Sequence, residues 1–105
     1  MRILLDACVP IDFRHDLGSA GSVETARFAG LSHLTNGAVL SAMAGRFNVL
    51  ITVDRNLRYQ QSISGQSVSV LLVRAPSNAI DDLRPLVPAI VAALASIQPG
   101  QVVEV

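Results

Sequence analysis

The sequence predicts an α/β fold: a three-layer α/β/α sandwich around a mainly parallel five-stranded sheet, in a single domain spanning residues 1–105. Three observations lead there. Short apolar runs, Ile3-Leu4-Leu5, Val49 to Val53 and Val68 to Val73, alternate with longer stretches of helical pattern. Half of the 105 residues are hydrophobic, which suits a sheet buried on both faces. Two of the apolar runs stop abruptly on an aspartate, Asp6 and Asp54, where open α/β sheets place their ligands.

Arg2 to Leu5 forms the first strand, closed by Asp6. Ala7 to Pro10 turns the chain, with Pro10 suited to the first turn of a helix. Ile11, Phe13, Leu17 and Ala20 then space out an amphipathic helix of about three turns, ended by Gly18 and Gly21. Ser22 to Ala26 alternates weakly and reads as a second strand. Phe28 to Thr35 is a loop expected near the carboxyl edge of the sheet. Asn36, a good N-cap by type, opens a mostly buried helix over Ala38 to Ala44 that stops at Gly45. Val49 to Val53 is the third strand, and Leu57 to Ile63 a short helix stopped by Gly65.

Val68 to Val73 is the fourth strand, and Arg74 to Asn78 a turn. Ile80 to Ile97 is a long helix with Asp81 and Asp82 in its first turn, where the macrodipole favours anions. Pro85 is tolerated near that start, whereas Pro88 predicts a kink or a later true start. Pro99-Gly100 leads into a last edge strand, Val102 to Val105. A strand order of 2-1-3-4-5 would place Asp6 and Asp54 on neighbouring strands at the topological switch point. Adjacent strands lie roughly 5 Å apart, so both carboxylates would reach one cation.

Composition narrows the function classes. Net charge is zero, which leaves no bulk attraction for nucleic acid. All eight basic residues are arginine, so chemistry that needs a lysine, including Schiff bases and P-loops, is excluded. One cysteine, Cys8, fits a reducing compartment, and no signal peptide or membrane-length apolar run is evident; the expected location is cytoplasmic. The apolar excess, concentrated in Leu86 to Ile97, points to a homodimer or a protein partner.

The pair Asp6 and Asp54 suits Mg²⁺ or Mn²⁺, hard cations that often bind through one or two carboxylates together with substrate phosphate. In that reading Asn56 helps hold a water or a phosphate, while Arg55, Arg58 and Arg74 form a rim for the substrate backbone. The competing reading has each aspartate merely capping the helix that follows. Two such acids at one switch point favour a site. Cys8 has no base beside it and reads as a structural thiol. His15 and His33 lack metal-ligand spacing, and Asp12 and Asp16 read as a solvated helix face. Tyr59-Gln60-Gln61 is unusual for a plain surface helix, although no motif forces a role on it.

At LLDACVP, NGAVLSAMA and TVDRNLRYQQ the chain resembles the PIN-like family of small bacterial and archaeal proteins, related to VapC-type toxin nucleases. The likeness runs over nearly the whole chain, including RAPSNAIDDLRPLVPAI. It implies a PIN-like α/β/α fold and a divalent-metal-dependent ribonuclease, often one half of a toxin–antitoxin module with an antitoxin-like protein partner. Asp6 matches the first acid of that family and Asp54 the acid after the later strand. Asn36 stands where many relatives open the middle helix with an acid, and Ala7 where many have glutamate. PIN nucleases usually gather more acids than these two. The leading expectation is therefore RNA cleavage with Mg²⁺ or Mn²⁺ at Asp6 and Asp54, assisted by Asn36 and Asn56. The alternative is a catalytically degenerate PIN-like module that binds proteins. A phosphatase with Asp6 as nucleophile is disfavoured, because no second aspartate follows two residues later and no lysine exists.

Overall fold

The computed structural model describes residues 1–34, 36–55 and 67–105, without the side chains of Asn36 and Gly37. The expected helix Leu57 to Ile63, with Gly65 and Tyr59 to Gln61, lies outside the described residues.

Five strands form one sheet: β1 Arg2–Leu5, β2 Ser22–Thr25, β3 Val49–Thr52, β4 Ser69–Leu72 and β5 Val102–Glu104. Their spatial order is β2-β1-β3-β4-β5, and every pairing is parallel. All residues of β3 and β4 are buried, as parallel strands covered on both faces require.

Alternation along the strands divides the core in two. Ile3, Leu5, Val49, Ile51 and Leu71 pack with Phe13, Leu17, Leu83, Ile90 and Leu94. Leu4, Leu50 and Val70 pack instead with Leu31, Val39, Leu40, Met43 and Phe47. Four helices, α1 Phe13–Asp16, α2 Asn36–Met43, α3 Ile80–Leu83 and α4 Val87–Ser96, supply those partners except Leu17, Leu31 and Phe47, which lie outside them in turns and loops. Each fully buried aliphatic or aromatic side chain contributes about 1.5–3 kcal/mol relative to exposure.

Two helices differ from expectation in an instructive way. The segment after Pro10 holds a single α-helical turn, not about three. Its amides reach back three residues, Phe13 N to Pro10 O at 3.1 Å and His15 N to Asp12 O at 3.1 Å. That is the tighter 3₁₀ pattern, whose poorer geometry keeps runs short. Phe13 and Leu17 are the fully buried anchors of the segment, Ala20 packs beside them, and Ile11 remains 46% exposed. In the other helix, a 3₁₀ turn at Arg84–Leu86 carries Pro85, and the α-helix restarts at Val87 with Pro88 in its first turn. Pro88 thus occupies the position where a missing amide hydrogen costs least. No helix among the described residues is long and apolar enough to cross a membrane.

Candidate functional site

The carboxyl edge of β1 and β3 is where chemistry gathers. Leu5 pairs with Ile51, and the ladder continues one step further, with Asp6 N donating to Ile51 O at 2.9 Å. Asp6 therefore leaves the sheet level with Thr52. Its carboxylate is held from both sides. Oδ1 accepts the amide of Ala7 at 2.8 Å, and Oδ2 accepts the hydroxyl of Thr52 at 2.7 Å. Val9 N donates to Asp6 O at 2.9 Å and closes the turn that follows.

Thr52 is fully buried, and its hydroxyl also accepts the amide of Asp54 at 3.0 Å. One hydroxyl thus joins the two acidic residues: the Asp54 amide donates to Thr52, and Thr52 donates to Asp6. Such a chain polarises each of its members, and its last bond is assisted by the carboxylate charge. The sequence reading missed Thr52. Its visible signal is a hydroxyl in an otherwise apolar strand. Asp54 itself is exposed.

Cys8 lies against the same group, with Sγ 3.6 Å from Asp6 Oδ2 and 3.7 Å from Thr52 Oγ1. Burial pushes its thiol up from the ordinary 9.0, and the Asp6 charge adds to that, while hydrogen bonds from the Val53 backbone and Thr52 pull the other way. The thiol stays protonated near neutral pH and so donates to the carboxylate. Asn78 Nδ2 donates to Cys8 O at 3.0 Å and ties this turn to the one after β4.

A cleft of about 220 Å³ opens on the β2 side of Asp6, lined by Asp6, Ala7, Val9, Pro10, Ile11, Thr25, Arg27 and Ser32. Of the expected rim, Arg55 turns its guanidinium to Ala75 O at 3.2 Å. Arg74 pairs with Glu104 of β5 at 3.1 Å, on the flank of the sheet away from Asp6. Arg27, which the sequence reading did not nominate, lines the cleft. Asn36 is the first residue of α2, but its side chain lies outside the description. Asn56 and Arg58 lie outside the described residues. Asp16, expected on a solvated face, pairs with Arg84 at 3.3 Å.

A carboxylate has roughly four lone-pair positions, and the two short bonds to Asp6 leave some of them for a cation. Among the described residues no three His, Cys, Asp or Glu side chains gather around one point. The donor set is all oxygen and suits a Mg²⁺ or Mn²⁺ held by one or two carboxylates with waters, rather than enclosed by protein. Comparison with protein-family models, with curated proteins and with solved structures finds no match.

Proposed function

We propose that this chain is a PIN-like three-layer α/β/α domain that hydrolyses RNA phosphodiesters with Mg²⁺ or Mn²⁺ held by Asp6 and Asp54. In the same reading it is the toxin-like member of a cytoplasmic toxin–antitoxin pair, with an antitoxin-like protein as partner. The observation that supports it best is that both acidic residues follow the carboxyl ends of the adjacent strands β1 and β3, with the Thr52 hydroxyl bonded to the Asp6 carboxylate and to the Asp54 amide.

The cation, when bound, supplies an activated water and positive charge for the phosphoryl oxygens. The chain's own residues do the positioning. Thr52 and the Ala7 amide hold Asp6 in place, and a carboxylate so bonded still has lone pairs for a cation. Asp54, whose amide Thr52 holds, would add the second carboxylate, with Asn36 and Asn56 as neutral partners for water or phosphate, and Arg55 and Arg58 would hold the RNA backbone.

Cleavage of single-stranded RNA in Mn²⁺ tests this directly. Wild type should cut, and Asp54→Asn should fall to background with its fold intact by circular dichroism. Equal cleavage by the two proteins would overturn the mechanism. One observation favours a second reading, a degenerate module that binds proteins: both oxygens of Asp6 already serve the fold. That reading expects no RNA cleavage by wild type and no Mn²⁺ binding that depends on Asp6.

A further inference from the structure

We propose that Arg27 and Phe28, just past the carboxyl end of β2, form a one-nucleotide subsite for single-stranded RNA beside Asp6. The Arg27 guanidinium takes a phosphate and the Phe28 ring stacks under the adjoining base. The proposal deepens the ribonuclease reading and rests on it for RNA as the ligand.

Phe28 is 82% exposed, the most exposed large hydrophobic side chain among the described residues. A well-anchored loop puts it there. Ala26 N donates to Leu5 O at 2.8 Å, Phe28 N to Thr25 Oγ1 at 3.1 Å and Leu31 N to Ala26 O at 2.8 Å. Ala26 and Leu31 are buried on either side, so the backbone turns its neighbours inward and leaves the phenyl ring out. A fixed aromatic face in water is what an unpaired base stacks on, and it tolerates any base.

Arg27 supplies the second half. It lines the cleft that holds Asp6, and among the described residues its guanidinium has no hydrogen bond or ion pair, while its carbonyl accepts the Gly30 amide at 3.2 Å. Asp6 repels phosphate in that cleft, and among the described residues Arg27 is the arginine that lines it and offsets this charge. A cation and a flat apolar ring on consecutive residues match a phosphate and its base. A protein contact would use the ring but has no comparable need for a guanidinium beside a carboxylate. Stacking on a base face requires a strand whose bases are unpaired, which selects single strands over duplex.

Binding without cleavage isolates the claim. Anisotropy of a fluorescein-labelled oligouridylate of about twelve nucleotides, in EDTA at low salt, should show binding by wild type. Phe28→Ala should weaken it about ten-fold and Phe28→Trp should preserve it. Arg27→Ala should weaken it and flatten the salt dependence by about 0.7 in log–log slope, while Arg14→Ala, at an exposed arginine of α1, should match wild type. No binding by wild type, wild-type affinity in both Arg27→Ala and Phe28→Ala, or equal affinity for a duplex would each overturn the subsite. A Mn²⁺ cleavage assay on the same proteins separates the two ideas. Binding through Arg27 and Phe28 without any cutting retires the nuclease reading and keeps the subsite. Cutting that neither substitution affects does the reverse.

Discussion

Thr52 ends a strand whose other residues, Val49, Leu50 and Ile51, are wholly apolar, and its hydroxyl meets both acidic residues of the site. In sequence it passes for one more β-branched strand former, because threonine satisfies β propensity as valine does. Asp6 and Asp54 stood out because each follows closely on a buried run, although an aspartate that only caps the next turn, as Asp6 does for the Ala7 amide, has the same signature. Arg74 was legible only as a residue at a strand end; the lateral order of strands, which sets it against Glu104, is a tertiary fact. Arg27 follows a weakly patterned strand and carries no local signal. Thr52→Val keeps the shape of the side chain but removes a donor from Asp6 and an acceptor from the Asp54 amide. Urea denaturation should show a loss of about 1–3 kcal/mol, with Thr52→Ser losing less. A Thr52→Val protein as stable as wild type would mean that the hydroxyl does not organise this edge.

Whole elements were legible where periodicity was strong. All five strands fall within a residue or so of the boundaries their apolar runs suggest, because a buried parallel strand has little latitude in composition. The helix after Pro10 was over-read, since spacing alone does not distinguish an α-helix from successive tight turns sharing the buried side chains Phe13 and Leu17. The edge strand β2 depends on one backbone position. Gly21 has φ +156°, and a Cβ built there would collide with the backbone carbonyl oxygen of Met1, which accepts the Ser22 amide at 3.0 Å. Gly21→Ala must therefore push β2 away from the start of β1. The expected cost is about 1–3 kcal/mol by urea denaturation, the range for forced overpacking. Gly45→Ala provides the contrast. Gly45 has φ +80° with open space around it, so only the left-handed backbone penalty of about 1–2 kcal/mol applies. Amide exchange should separate the two, speeding up at Ser22 in Gly21→Ala and staying unchanged there in Gly45→Ala.

For the molecule as a whole, strand order brings residues 6 and 54 together across 48 positions of chain. In sequence that order was only a condition on which the two aspartates would meet, and the parallel pairing of β1 with β3 fulfils the condition. The consequence for stability follows from linkage. A ligand that binds only the native state stabilises it by RT ln(1 + [L]/Kd), about 1.4 kcal/mol at ten times Kd. In a domain of 105 residues that raises Tm by about 5–10 °C. If Asp6 and Asp54 share one cation, Mn²⁺ should raise the wild-type Tm by that amount, and EDTA should reverse it. The shift should shrink sharply in Asp6→Asn and in Asp54→Asn. In the double variant it should be no smaller than in the weaker single variant, because one site is lost only once. Calorimetric scans with and without Mn²⁺ read all four proteins. Independent, additive losses would place two separate ions at the two aspartates. A wild-type shift that survives both substitutions would put the cation elsewhere on the molecule.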